Sequence, residues 1–251
     1  MTTKLRSFGR KKGFIQNETC SETLPKACDM MTGRRTRGKA EKTEELRRRI
    51  MDVSVELFLE KGYDRTTTRQ ILQRADILNG SLYNIYHGKE EIFADIISEA
   101  LNDSVRESEK YLDNPTFLDK VGFPLILMIY ISFRSQRLAE LLAVAHSKWD
   151  IMLRILDIMM KWVEDNDVDG IVDTGSEEFK VRMYMCLGAM GNILEAISRD
   201  PSTISERNMI MTVIRMLLDV FELPTDGVEE RVDTIYRAIS GNDIVICGIH
   251  L

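Results

Sequence analysis

Apolar residues recur at helical spacing along almost the whole chain from Thr43 onward. Leu46, Ile50, Val53 and Leu57 fall at i, i+4, i+7 and i+11. That is one face of a helix over residues 43–61, and Phe58 widens it. Gly62 follows, a residue able to take the left-handed conformation that ends a helix. Ile71, Leu72 and Ala75 mark a short second helix. Thr67 and Gln70 have the spacing of a capping box at its start. Asp76 to Leu78 leave room only for a tight turn, with Ile77 at its corner. The next helix opens at Gly80-Ser81-Leu82-Tyr83. Leu82 is its inward residue, which turns Ser81, Tyr83 and Asn84 toward solvent. A fourth helix begins at Lys89 and carries Ile92, Phe93, Ile96, Ile97, Ala100 and Leu101 as its apolar stripe.

Asn114-Pro115 interrupts this pattern, and several amphipathic helices follow. Residues 117–133 and 136–145 read as two of them. A third spans about 147–163, with Met152, Ile155, Leu156, Met159 and Val163 on one side. The acidic, glycine-containing stretch 166–175 reads as a loop. Ser176 caps a helix to about residue 199, striped by Met183, Leu187, Met190, Leu194 and Ile197. A last long helix at about 203–222 carries Ile210, Val213, Ile214, Leu217 and Phe221. Val228, Val232, Ile235 and Ile239 mark a short final one, and residues 241–251 form an apolar tail without an assigned element. The absence of period-two runs makes the class all-α. The chain divides into a basic flexible extension (1–42), a three-helix domain (43–103), a helical body (104–240) and the tail (241–251).

Composition sharpens the picture in one respect. The chain has 251 residues and a formal net charge of −6. Residues 1–90 carry 19 Lys and Arg against 12 Asp and Glu, and the remainder 15 against 28. The positive end is the one with the paired short helices, which suits contact with a polyanion. Residues 1–40 are basic (Lys4, Arg6, Arg10, Lys11 and Lys12, then Arg34, Arg35, Arg37 and Lys39) and leave three readings open: an arm on DNA phosphates or in a minor groove, a disordered tail, or a true start at Met30 or Met31, with any arm function expected of Arg34–Lys39. Four cysteines without C-x-x-C spacing and three scattered histidines offer no metal set, so no metal or cofactor is expected. No acid/base pair, nucleophile constellation or Gly-rich phosphate loop favours an enzyme. The most apolar run, residues 122–133, is far short of the roughly 20 residues needed to span a bilayer, so a buried helix and a cytoplasmic protein are expected.

The stretch Thr43 to Leu101 resembles the DNA-binding domain of TetR-family transcriptional regulators. The matching residues are ELFLEKGYDRTTTRQIL, then GSLY, then Tyr86, then KEEIF at 89–93. The resemblance implies a helix-turn-helix protein that binds double-stranded DNA as a homodimer, on a palindromic operator, as a ligand-responsive repressor. Thr67 and Thr68, at a helix N-terminus, are expected on phosphate. So is Lys89. Ser81, Tyr83 and Asn84 are expected to face the groove, with Asn84 suited to a bidentate pair with adenine. Tyr86 stands where the family usually has Phe and is expected to pack with its hydroxyl reaching out.

There are departures from the family pattern. Leu78 replaces a capping Ser or Thr, and Asn79 stands in for a basic residue and is expected to cap one position late. Ile85 and Gly88 replace polar residues. These leave a second reading, a protein of this fold that has lost its operator and acts through a partner.

The resemblance also implies an effector pocket in the body for a small apolar or amphipathic molecule. Met128, Tyr130, Phe133, Trp149, Met152, Met159, Trp162, Met183 and Tyr184 are its candidate lining. Arg134, Arg137 and His146 are candidates to orient a polar group. The last two long helices are expected to pair with their copies through Gly188, Gly191, Leu194, Ile210, Val213, Ile214 and Leu217, with packing inside one chain as the alternative role of the glycines.

Overall fold

The structure is a computed structural model that describes residues 27–166 and 173–251. The side chains of residues 27–39 and of Asn79 lie outside that description, as do any contacts of the basic stretch before Lys39. Among the described residues ten helices follow one another: α1 (Ala27–Lys61), α2 (Thr68–Ala75), α3 (Asn79–Tyr83), α4 (Lys89–Tyr111), α5 (Phe117–Arg134), α6 (Gln136–Ser147), α7 (Trp149–Asn166), α8 (Glu177–Arg199), α9 (Glu206–Val220) and α10 (Val228–Ser240). The class is all-α, with one addition at the end. Val245–Ile246 (β1) and Ile249–His250 (β2) pair antiparallel into a minimal hairpin. Cys247 and Gly248 both have positive φ, as a two-residue turn of this kind requires.

Two compact units divide at Lys42 and Thr43. In the first, residues from Ala27 onward are helical, being the beginning of α1. The apolar periodicity starts that helix only at Thr43. The reason for the difference is that Arg, Lys, Ala and Glu are good helix formers and need no apolar stripe to be helical.

Within residues 43–251 the helix-turn-helix and the helical body form one unit. Its core around Ile50, Phe58, Leu82 and Phe93 runs on into Leu141, Ala145, Ile151 and Ile155. Arg154 of α7 pairs with Glu91 of α4 at 2.9 Å, and Lys148 pairs with Asp64 at 3.0 Å. A second core gathers Phe123, Ile126 and Ile129 of α5, Leu194 and Ile197 of α8, Ile210, Val213 and Ile214 of α9, and Val232 and Ile235 of α10.

The hairpin is anchored to α4. The backbone N–H of Cys247 donates to Asp103 at 2.7 Å, and its thiol lies 3.6 Å from the carbonyl of Ile96. Burial, with Asp103 nearby, pushes that thiol up to about 12. The apolar tail thus covers α4 rather than trailing from α10.

Candidate nucleic-acid interface and internal cavity

The start of α2 is built as its sequence dictates. The Thr67 hydroxyl accepts from the Gln70 N–H at 3.3 Å, and the Gln70 side chain accepts from the Thr67 N–H at 2.9 Å. The neighbouring Thr66 is fully buried and donates to the carbonyls of Leu57 and Gly62. It locks the corner between α1 and α2, and leaves Thr67 exposed and Thr68 partly so. Asp76 takes a left-handed conformation (φ 53°) and ends α2, and Ile77 enters the turn. Leu82 is completely buried and fixes the roll of α3. Asn84 and Tyr83 are therefore exposed, Tyr83 to 58%, and Ser81 is partly so.

Leu78 is the N-cap of α3, makes no side-chain cap and is 80% exposed. The one-residue-late cap at Asn79 is corrected, because α3 already begins there with helical geometry. The side chain of Asn79 lies outside the described residues.

Two further residues are placed differently from expectation. Tyr86 is 3% exposed, so its hydroxyl does not reach out. It points toward the Arg47–Asp95 pair, in which the guanidinium spans 2.7 and 3.1 Å to one carboxylate oxygen, yet makes no well-formed hydrogen bond itself. Burial first, and the adjacent Asp95 second, raise its pKa. The aromatic ring is what the domain core needs here, and the core closes over the oxygen with it. Lys89 begins α4, but its ammonium donates to the carbonyls of Tyr63 and Thr66 at 2.9 and 3.1 Å and lies 4.2 Å from the Tyr63 ring centre. One of its three N–H donors remains for an anion.

The body holds a partly open cavity of about 200 Å³. Its wall comes from α4 to α9 and the hairpin: Leu101, Phe117, Val121, Pro124 and Met128, then His146, Met159, Trp162, Met183, Phe221 and Ile246 among others. Of the candidate lining residues, Met128, Met159, Trp162 and Met183 reach it.

Tyr130, Phe133, Trp149, Met152 and Tyr184 do not line it. Tyr130 packs edge-on against Tyr236 and under Arg134, toward α10. Phe133 packs against the second core. Met152 belongs to the core shared with the helix-turn-helix, two turns before Met159. Trp149 is 62% exposed and stacks flat on Tyr184, outside the body. Of the polar candidates only His146 is on the wall. Arg134 is bound to Glu206 and Arg137 to Glu140.

The interface candidates are corrected in the same way. Leu194, Ile210, Val213 and Ile214 are buried within the single chain and have no surface to offer a copy. Leu217 is partly buried and lines the cavity. Gly191 serves packing inside the chain, since a Cβ there would meet the Cβ of His146 at 3.0 Å. Gly188 opens onto free space. It shares the outward face of α8 with the exposed Val181 and Met185. Helical periodicity identifies a stripe that is covered, and in α8 the covered stripe is the one facing α6.

Among the described residues no group of three His, Cys, Asp or Glu gathers to hold a metal, and no helix is long and apolar enough to cross a membrane. The buried Cys186 thiol is pushed up to about 11, and so is not a nucleophile at neutral pH.

Residues 50–96 match the family described as bacterial regulatory proteins, tetR family. The HTH-type transcriptional repressor KstR2 of Rhodococcus jostii is 38% identical over 68 residues, covering 27% of this chain and 31% of the relative. The negative regulator IcaR of Staphylococcus epidermidis is 41% identical over 54 residues, covering 22% and 29%. The fatty acid metabolism regulator protein of Bacillus subtilis is 21% identical over 136 residues, covering 53% and 69%. The chain thus spans about 30% of the length of the first two of these relatives. A solved TetR-family regulator of Syntrophomonas wolfei aligns with TM-score 0.47 at 22% identity, over 73% of this chain and 98% of that one.

Proposed function

We propose that this chain, whose residues 50–96 match the tetR family of bacterial regulatory proteins, is a ligand-responsive repressor that binds a palindromic operator as a homodimer. The observation that carries the reading is the exposed face of α3. A fully buried Leu82 holds Ser81, Tyr83 and Asn84 outward, on a helix braced by a capped α2. Such a pair can place α3 in a major groove, with Asn84 on a base edge and Thr67, Thr68 and Lys89 around the phosphates. Two copies would then read half-sites about 34–36 Å apart or slightly more.

The outward face of α8, with Val181, Met185 and Gly188, supports association of two copies. It is an exposed apolar strip on a helix whose other side is spent on the core.

Ligand response is supported by the continuity of α4. Ile92 and Phe93 near its start sit in the helix-turn-helix core, and Ile97, Leu101 and Ser104 further along line the cavity. A molecule that favours one position of α4 shifts the recognition helices by its differential affinity for the two states.

The test is fluorescence anisotropy of the purified protein on the DNA upstream of its own gene, at several salt concentrations, beside Asn84→Ala. Sequence-selective binding that the variant weakens by roughly 1–3 kcal/mol is expected. Equal binding to random duplex, indifferent to Asn84, overturns the proposal.

A further inference from the structure

The cavity's wall is almost wholly apolar, and its few polar groups are not of one kind. Ser104 donates its hydroxyl hydrogen to the carbonyls of Ala100 and Leu101 at 2.7 and 2.9 Å. The Lys120 ammonium is held by Glu109 at 3.0 Å. Cys186 is a buried neutral thiol, a weak donor. Ser104 and Cys186 leave no strong donor free, and Lys120, with one N–H on Glu109 and its charge offset there, is the one source of a strong donor among the polar side chains named.

The acceptors are different. Nδ1 of His146 lies 2.9 Å from the carbonyl of Leu142. A carbonyl only accepts, so Nδ1 carries the hydrogen. In the neutral ring Nε2 is then a bare lone pair. Among the described residues it has no hydrogen-bond partner. Burial disfavours the imidazolium and keeps the ring in that neutral form. Pro124, also on the wall and inside α5, has no N–H, so the Lys120 carbonyl lacks its helical donor. Apart from Lys120, the wall is short of donors and offers acceptors.

We infer that the cavity takes a small neutral molecule, apolar over most of its surface, whose single hydroxyl donates to Nε2 of His146: an alcohol or a phenol rather than a carboxylic acid or a cation. This rests on the reading of the cavity as the effector site. A carboxylate would bring a charge into an almost wholly apolar space where Lys120, whose charge Glu109 already offsets, is the only cation to receive it. A cation would find no carboxylate on the wall. The volume sets the size. An apolar cavity of about 150 Å³ takes benzene, so about 200 Å³ corresponds to a molecule on the order of eight to ten heavy atoms.

Three probes of one chain length separate the alternatives: 1-octanol, its isomer heptyl methyl ether, which has no donor, and octanoate. Binding is read by titration calorimetry and by the fluorescence of Trp162, which lines the cavity, with Trp149→Phe removing the exposed indole. Octanol is expected to bind roughly three- to tenfold more tightly than the ether, the worth of one buried hydrogen bond, and more tightly than octanoate. His146→Leu removes the preference while still binding the ether, which shows the cavity intact, and His146→Gln restores part of it.

Equal affinity for octanol and ether, or a preference that survives His146→Leu, overturns the hydroxyl assignment while leaving an effector cavity. Octanoate binding tightest, and weakened by Lys120→Met, overturns it in favour of an acid. Failure of all three to bind the wild-type protein removes the cavity reading itself.

Discussion

Replacing Gly191 by alanine sets two effects of known sign against each other. Alanine in a helix interior is favoured over glycine by about 1 kcal/mol, and Gly191 lies well inside α8. Propensity alone therefore makes G191A stabilising. The new Cβ would stand 3.0 Å from the Cβ of His146, with the His146 carbonyl carbon and oxygen each at 3.7 Å. Carbon atoms pack best at roughly 3.5–4.0 Å, so α6 and α8 must part by about half an ångström. A Cβ is fixed to its backbone and does not swing aside as the end of a long side chain does. Overpacking of this kind costs about 1–3 kcal/mol, which leaves G191A destabilising by roughly 0–2 kcal/mol after the propensity gain.

Gly188→Ala, one turn earlier in the same helix, is the control. Its Cβ meets nothing within 4 Å, so propensity acts alone in the protomer. Urea unfolding of both variants at several protein concentrations separates a change in the protomer from a change in association. G191A is expected to be at least about 1 kcal/mol less stable than G188A, a difference of roughly 2–4 °C in Tm for a domain of this size. If G191A is as stable as G188A, α6 and α8 have room between them, and the close approach does not limit the fold. Because α6 carries His146, a destabilised G191A is also expected to weaken octanol binding.

Two further outcomes follow from buried and exposed surfaces. Tyr86→Phe deletes a hydroxyl enclosed without a hydrogen-bond partner, so thermal unfolding is expected to shift upward by about 1 kcal/mol of stability; a loss of stability would show that the oxygen is bound by Asp95 after all. Met185→Glu puts a charge on the outward apolar face of α8 without touching the core, so sedimentation equilibrium is expected to show dimer dissociation raised by at least about tenfold at unchanged protomer stability. An unchanged dimer would move the interface off that face.

The helix-turn-helix was legible because its signals are local. Thr67 and Gln70 cap each other across three residues, Gly62 takes φ 85° where the periodicity of the first helix ends, and Leu82 sets the outward side of a helix only five residues long. Each feature is decided within one turn, so spacing along the chain carries it. Tyr86 shows where that stops. Its position marks it as an aromatic that packs, but whether the hydroxyl emerges depends on Arg47 and Asp95, 39 residues before it and nine after, and on how α1 meets α4. The start of α1 was hidden for the opposite reason. A polar helix buries no stripe, and so leaves no period to read.

In the body, periodicity was right about which positions are covered and silent about what covers them. Leu194, Ile210, Val213 and Ile214 form regular stripes, and a stripe met by a second copy of the chain looks the same in sequence as one met by a neighbouring helix. The informative residues were those off the stripe. Val181, Met185 and Trp149 are apolar where the core has no use for them, and the exposure of Val181 and Met185 is what the proposed association of two copies rests on. The cavity obeys the same rule. Met159, Trp162 and Met183 line it, while Met152, of the same chemistry and on the same side of α7, is consumed by packing two turns earlier. What singles out a ligand site in such a stripe is a polar group the core would not otherwise tolerate. Here that group is His146, a residue of the cavity wall with one nitrogen satisfied within its own helix and the other without a partner among the described residues.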